Sequence, residues 1–194
     1  GKMGVRVVLT RDEDALLPHA TRSGIANQFK ADIFISIHLN SSTGNSARGA
    51  ETYFLSPEAS DAAAAAALAG EGDGSSEDAD ALYGLQLLLW DLAQSRHLAE
   101  SQRLAKLIQG ELNTELGLRD RGVKQAPFRV LMGAAMPAVL VELGFLSNPE
   151  EEEKLLTPVY RAQLAEALVR ALARFQAAGA EPEPAVPTAE NLTP

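Results

Sequence analysis

Residues 31–40 constrain the fold of this chain more than any other stretch. They read Ala-Asp-Ile-Phe-Ile-Ser-Ile-His-Leu-Asn, without Gly or Pro, and the apolar run ends abruptly at His38 and Asn40. A run this short and this rich in β-branched and aromatic side chains predicts a strand buried on both faces, as in parallel sheets covered by helices. Ligands bind at the carboxyl ends of such strands, so His38 and Asn40 lie where a site is expected.

The remaining segments predict an α/β domain with a mostly parallel, twisted sheet and helices on both faces. Apolar runs predict strands at residues 5–10, 33–38, 49–55, 128–132 and 137–145, and helical spacing predicts helices at 21–29, 82–92, 104–116 and up to 175. The inner face of the last helix is predicted to carry Leu164, Leu168, Leu172 and Phe175. Residues 5–38 are predicted to form a strand, a helix and a second strand. Such a unit predicts two parallel strands joined by a right-handed crossover.

Composition bounds the organisation and excludes several functions. A chain of 194 residues is sized for one domain, which we place at 1–178, with a flexible insertion at about 56–81 and a disordered tail at 179–194. The formal net charge of −9 argues against nucleic acid as a partner. The absence of cysteine excludes thiolate metal sites and a cysteine nucleophile. No apolar run approaches the roughly 20 residues that cross a bilayer.

Two polar residues, His38 and Glu142, stand at the ends of runs that are predicted to be core. For an arbitrary His or Glu, a satisfied core or loop residue is the ordinary interpretation. The position favours function here, because a carboxylate directly after Pro-Ala-Val-Leu-Val is costly to bury without a partner.

Six segments, in order, carry a family resemblance. They are Thr10-Arg11-Asp12, Arg22 with Ile25-Ala26-Asn27, residues 31–40, 49–53, 121–126 and 141–148. With these segments the chain resembles the zinc-dependent N-acetylmuramoyl-L-alanine amidases of the Amidase_3 type. These are bacterial cell-wall hydrolases with a phosphorylase/hydrolase-like α/β fold. The resemblance covers residues 5–175, and it implies cleavage of the amide bond between N-acetylmuramic acid and the L-alanine of the stem peptide.

The resemblance also implies roles for residues of this chain. The family holds Zn²⁺ with two His and one Glu, and the His of its Ser-Ile-His-x-Asn motif corresponds to His38. The catalytic Glu of the family corresponds to Glu142. Arg121, Lys124 and Asn40 are candidates for binding the substrate, with solvated loop charges as the alternative for the two cations.

The chemistry of such a site follows from the ion and the carboxylate together. Zinc polarises the amide carbonyl and lowers the pKa of a bound water toward about 7. Glu142 would take a proton from that water and pass one to the departing nitrogen of L-alanine.

The chain departs from the family pattern at its start. The opening strand, the Asp-Pro-Gly-His-Gly-Gly loop and the helix with the Glu ligand have no counterpart, so we expect an N-terminally truncated domain that lacks its first strand and helix. Only one of the three zinc ligands is then assigned. His19 and His97 are predicted to face solvent and not to complete the set.

Several alternatives therefore stay open. The chain is either an amidase, a catalytically inactive peptidoglycan-binding or regulatory module, or a metal-dependent peptidase that acts on other amides. In the insertion, Glu58, Glu71 and Glu77 either cap the metal or belong to an ordinary flexible loop. We expect a monomer in the periplasm or at the cell surface, without a transmembrane segment in this chain, and an activator protein as a possible partner.

Overall fold

The computed structural model describes residues 4–69, 97–114, 117 and 119–179. Along the chain these residues form α1 (His19–Gln28), β1 (Phe34–Asn40), β2 (Ala50–Leu55), α2 (Ala62–Ala69), α3 (97–114), β3 (Asp120–Ala126), β4 (Ala138–Phe145), α4 (Pro149–Leu156) and α5 (Pro158–Gly179). The predicted helix at 82–92, the acidic part of the insertion at 70–81 and the tail from 180 lie outside the described residues.

The four strands form one mixed sheet in the order β1-β4-β2-β3. The pairs β1/β4 and β2/β3 are parallel, and the central pair β2/β4 is antiparallel. The expected mostly parallel sheet is therefore confirmed. The same arrangement brings the carboxyl ends of β1 and β4 to one edge, beside the amino end of β2.

Helices cover both faces of this sheet, as predicted. One core lies between the sheet and α1, α2 and the residues before β4, and it includes Ala26, Tyr53, Ala64, Phe128 and Leu140. The other lies under α3, α4 and α5, and it includes Leu104, Ile108, Val139, Leu155, Leu164 and Phe175, with Leu168 and Leu172 packed against it. The predicted inner face of the last helix is thus confirmed. Among the described helices, none is long and apolar enough to cross a membrane.

The strand predicted at residues 5–10 does not form, so the predicted crossover into β1 is wrong. Val7 and Leu9 are 74% and 69% exposed. A β-branched run becomes a strand only where a neighbouring strand pairs with it, and in the described part of the chain β1 pairs with β4. Because β1 is an edge strand, Ile37 is also exposed, and the prediction that this strand is buried on both faces is wrong.

The strand predicted at residues 128–132 is also displaced. The strand is β3, the preceding segment, and residues 129–133 form turns. Pro127 has no backbone N–H to donate to a ladder and follows the last residue of β3. Phe128 and Leu131 still enter the core, because their apolar side chains pack from a turn as well as from a strand.

The start of α4 is capped by a side chain. Asn148 is the N-cap, with its side chain accepting hydrogen bonds from the backbone N–H groups of Glu150 and Glu151, and Pro149 follows it. The Glu151 carboxylate does not complete a capping box. It accepts hydrogen bonds from Gly49 N at 2.8 Å and from Phe145 N at 2.7 Å, and so joins the start of β2 to the end of β4.

Candidate active site

The two candidate residues meet at the sheet edge where the sequence places them. His38 of β1 and Glu142 of β4 are register partners in the parallel pair. Both side chains lie on the face of the sheet that packs against α1 and α2, since Phe34 and Leu140, each an even number of residues away, belong to that core. The structure therefore brings together an imidazole and a carboxyl group that are distant in the sequence.

His38 is a neutral imidazole at ordinary pH. Burial lowers its pKa to about 4, with the nearby charges of Arg22, His19 and Arg11 acting in the same direction. Its Nε2 lies 2.8 Å from the hydroxyl oxygen of Ser36. A neutral ring keeps a lone pair on one nitrogen, which is the form that binds metal ions.

Glu142 is buried, with 5% of its surface exposed. Its Oε2 atom is buried and has no hydrogen-bond partner within the described part of the chain. Burial, and then the charge of Glu51, raise the pKa of Glu142 to about 8. This carboxyl group therefore mostly holds its proton near neutral pH, and one of its oxygens is left unsatisfied by the described residues.

Glu51 also belongs to the site, and the sequence does not single it out as a site residue. It is the antiparallel register partner of Glu142, across β2 and β4, and is 1% exposed. Its Oε1 accepts from Arg121 Nε at 2.9 Å and from Asn40 Nδ2 at 3.3 Å. The other oxygen lies 2.8 Å from Tyr53 OH and 2.8 Å from Lys124 Nζ.

These contacts place all three predicted substrate-binding residues, Asn40, Arg121 and Lys124, around Glu51. Lys124 is buried and also lies 3.5 Å from Asp61, so it is not a solvated loop charge. Arg121 is partly exposed, and its guanidinium lies 4.8 Å from the centre of the Phe145 ring. The Glu51 carboxylate thus has two cations and two neutral donors around it, whereas Oε2 of its neighbour Glu142 has no partner among the described residues.

Tyr53 completes this cluster. Burial and the Glu51 carboxylate raise the pKa of its hydroxyl well above the ordinary value. The hydroxyl consequently stays protonated and donates to Glu51. A carboxylate inside the apolar strand Ala50–Leu55 was the available sequence signal for this cluster, of the same kind that singled out Glu142.

The described residues do not fit a complete catalytic zinc site. Such a site takes three protein ligands, and the described part of the chain has no group of three His, Asp or Glu side chains able to hold a metal ion. His38 supplies one imidazole. The nearby carboxyl group with an unsatisfied oxygen, Glu142, is the residue expected to act as base.

The other candidate ligands are placed as follows. His19 and His97 are both partly buried, so the prediction that they face solvent is wrong. His19 begins α1, which packs on the sheet face carrying His38, and His97 lies 3.5 Å from Glu100 at the start of the described part of α3. Glu58 is exposed, whereas Glu71 and Glu77 lie outside the described residues.

Comparison with known proteins supports the family resemblance. A protein-family model described as N-acetylmuramoyl-L-alanine amidase, Amidase_3, matches residues 1–174. The chain is 34% identical over 181 residues to the N-acetylmuramoyl-L-alanine amidase AmiC of Neisseria meningitidis, which covers 89% of the chain and 42% of that relative. It spans from 42% to 61% of the length of the first three curated relatives.

Solved structures agree at the level of the fold. The N-acetylmuramoyl-L-alanine amidase of Clostridium difficile 630 matches with a TM-score of 0.65 and 28% identity, over 89% of this chain and 72% of that chain. The CwlD amidase of Clostridioides difficile, solved in complex with the GerS lipoprotein, matches with a TM-score of 0.66 and 23% identity, over 91% and 78% of the two chains.

Proposed function

The chain belongs to the Amidase_3 family of N-acetylmuramoyl-L-alanine amidases, and from this premise we propose that it hydrolyses the amide bond between N-acetylmuramic acid and L-alanine in peptidoglycan. The observation that carries the proposal is the pairing of His38 with Glu142 at the carboxyl ends of two parallel strands. The substrate class follows from the family, and the pairing supplies a base at the expected edge of the sheet.

Glu142 is proposed as the general base and acid. Because burial raises the pKa of Glu142 to about 8, a minor fraction of it is ionised near neutral pH, and this fraction grows as the pH rises. The ionised form takes a proton from the water that attacks the lactyl carbonyl, and the water oxygen becomes part of the product carboxyl group. As the carbon–nitrogen bond breaks, Glu142 returns the proton to the nitrogen of L-alanine, which leaves as an amine. Burial and the unsatisfied Oε2 support this role, because no donor among the described residues competes for the oxygen that accepts the proton.

Zinc is proposed as the cofactor, since members of this family are zinc-dependent, and His38 is proposed as one of its ligands. The neutral ring of His38 supports this assignment. The described residues supply fewer than three ligands, so binding of the ion by this chain is itself the quantity to measure. We expect His38→Ala to lower the zinc content of protein dialysed against the metal.

Asn40, Arg121 and Lys124 are proposed to form the substrate side of the site. Arg121 is the most accessible of the three, with 21% of its side chain exposed. It engages Glu51 through Nε, and a planar guanidinium can offer its remaining N–H groups to a peptide carbonyl or carboxylate. Asn40 and Lys124 would act by fixing the Glu51 carboxylate that orients Arg121.

The test is hydrolysis of purified muropeptides, read by mass spectrometry. Release of an intact stem peptide with a free L-alanine amine identifies the bond, whereas cleavage within the stem would indicate a peptidase. We expect Glu142→Gln to lower the rate by about 10²- to 10⁴-fold. Rates equal to those of the unsubstituted chain would exclude Glu142 as the base.

A second candidate is a peptidoglycan-binding module without hydrolytic activity. It is favoured by the incomplete set of metal ligands within the described residues. This function predicts co-sedimentation with insoluble peptidoglycan and no release of stem peptide at any zinc concentration. A location at the cell wall suits both candidates, and an activator protein stays a prediction.

A further inference from the structure

A cavity with two arginines in its lining lies at the same edge of the sheet as His38 and Glu142. It has a volume of about 520 Å³ and is lined by Asn45, Ser46, Arg48, Arg119, Asn148, Pro149 and Glu150. The lining comes from the loop after β1, the approach to β3 and the start of α4. None of these residues belongs to the site proposed above, and two of them are arginines.

The backbone on which the two arginines stand is held closely together. Gly49 has φ +102°, and a Cβ atom there would lie 2.2 Å from the carbonyl oxygen of Arg119. Only glycine accommodates both this conformation and this contact. The buried Glu151 carboxylate binds Gly49 N–H and Phe145 N–H, which fixes the rim of the cavity to the end of β4.

The charge of the cavity is available to a ligand. Arg48 and Arg119 are both exposed. Arg48 Nη1 lies 4.0 Å from Glu150 Oε2, and the two side chains are 59% and 77% exposed. Ion pairs this exposed contribute little free energy. Arg119 has no ion pair within the described part of the chain. The first N–H groups of α4 are taken by Asn148, so the arginines are the anion-binding groups.

The two arginines are close in sequence to the Glu51 cluster, which consists of Glu51, Asn40, Tyr53, Arg121 and Lys124. Arg48 precedes Glu51 by three residues, and Arg119 precedes Arg121 by two. At about 3.3 Å per residue in a strand, the arginines lie roughly 10 Å from the cluster. An extended peptide covers that distance in about three residues.

We propose that Arg48 and Arg119 form a subsite that binds a free carboxylate of the stem peptide, about three residues beyond the amide bond that is cut. The inference rests on the proposed function for the identity of the ligand. A peptide attached through its amino-terminal L-alanine carries a carboxylate wherever its carboxyl end is free, and two arginines that line one cavity suit that group. In a chain of net charge −9, such a local pair of cations is what allows an acidic ligand to approach.

The test compares two synthetic ligands that differ in one group. These are N-acetylmuramoyl-L-alanyl-glycyl-glycine with a free C-terminal carboxylate and the same compound as its C-terminal carboxamide. Calorimetry is done on Glu142→Gln protein, so that the ligand is not consumed. Arg48→Gln and Arg119→Gln are introduced singly and together. Arg174→Gln is the matched control, because it makes the same charge change at an exposed arginine that pairs with Glu111 outside the cavity.

We expect the carboxylate ligand to bind about tenfold more tightly than the carboxamide at low salt, and to lose that preference as salt is raised. The double variant should bind the two ligands equally, and the Arg174→Gln control should keep the preference. Glu150→Gln should increase it about two- to threefold, because a competing carboxylate is removed.

Two results would overturn the subsite. One is equal binding of the two ligands by protein that retains both arginines, and the other is an unchanged preference in the double variant. Failure of the amidase proposal is distinguished separately, since it appears as no release of stem peptide from muropeptides whatever the C-terminal group. A decrease in affinity that is equal for both ligands would indicate a general structural effect and would also reject the subsite.

Discussion

At the scale of single residues, the site is a contrast between two buried glutamates on neighbouring strands. Glu51 has four donors around its carboxylate, and Glu142 has a buried oxygen without a partner in the part of the chain that the structure describes. Polar groups that are buried and unsatisfied cost free energy and are kept at positions where they act on a ligand. The residue with fewer partners is therefore the better candidate for chemistry, and the residue with more partners supports it.

The supporting role of Glu51 predicts a large loss of stability on substitution. Glu51→Ala leaves Lys124 buried and Arg121 partly buried without their common carboxylate, and removing one partner of a buried ion pair costs about 3–5 kcal/mol. Urea denaturation measures the free energy of unfolding, with Glu58→Ala as the control because Glu58 is exposed. A loss below about 1 kcal/mol would show that the cluster is not a cooperative unit.

The raised pKa of Glu142 predicts a specific dependence of stability on pH. The folded chain holds this proton up to about pH 8, whereas the ordinary value is 4.5. The unfolded chain therefore binds fewer protons between these values, and the contribution of Glu142 to stability falls as pH rises through this window. The total loss is on the order of 5 kcal/mol.

Glu142→Gln removes this titration, so in a chelating buffer the variant should gain stability over the unsubstituted chain between pH 4.5 and pH 8. His38 acts oppositely, because its lowered pKa makes stability rise with pH between about 4 and 6.5, but it is present in both proteins. The exposed Glu153→Gln is the control. A difference that does not change with pH would contradict a buried, protonated Glu142.

How far the sequence predicts this site depends on where each residue lies. His38 and Glu142 follow apolar runs, so their meeting at one edge was predictable from strand patterning alone. The role of Glu51 was not, because its partner Arg121 is 70 residues away and no spacing rule links them. Likewise, Asn40 was predictable as a residue of the site, but its bond to Glu51 was not.

At the scale of elements, the strand predictions that failed were made from apolar patterns, which do not show whether a neighbouring strand is present. The pattern of residues 5–10 is that of a strand, but a strand exists only with a neighbour. The run at 128–132 is apolar because it packs in the core, and burial alone does not distinguish a turn from a strand. The elements predicted correctly within the described residues, α1, β1, β2, α3, β4 and α5, combine the apolar pattern with the sheet as a partner, through pairing for the strands and packing for the helices.

Glu151 joins β2 to β4, so its removal should lower the free energy of unfolding. Its carboxylate satisfies backbone N–H groups at the start of β2 and near the end of β4. Glu151→Ala should cost about 2–4 kcal/mol, because two buried donors lose their acceptor. Glu152→Ala on the same helix changes an exposed residue and should change the stability by less than about 0.5 kcal/mol. Equal effects in a thermal denaturation experiment would contradict the joining role of Glu151.

At the scale of the whole molecule, β4 is the centre of the structure. All eight of its residues are buried, and it pairs with β1 on one side and β2 on the other. It also carries Glu142 and separates the two cores, because Leu140 faces one core and Val139 the other. The candidate base therefore stands on one of the two strands, β2 and β4, that are wholly buried and paired on both sides.

This arrangement predicts an order of amide hydrogen exchange. The paired N–H groups of β4 open only when both neighbouring strands and both cores separate, so they should exchange at the rate of global unfolding. Residues 5–9 have no sheet partner in the described part of the chain, and their amides should exchange within seconds. Exchange measured by mass spectrometry on peptides that cover 5–9, 34–40 and 138–145 gives this order directly. Protection of 5–9 equal to that of β4 would mean that this segment pairs as a strand in solution, and the sheet would then extend beyond β1.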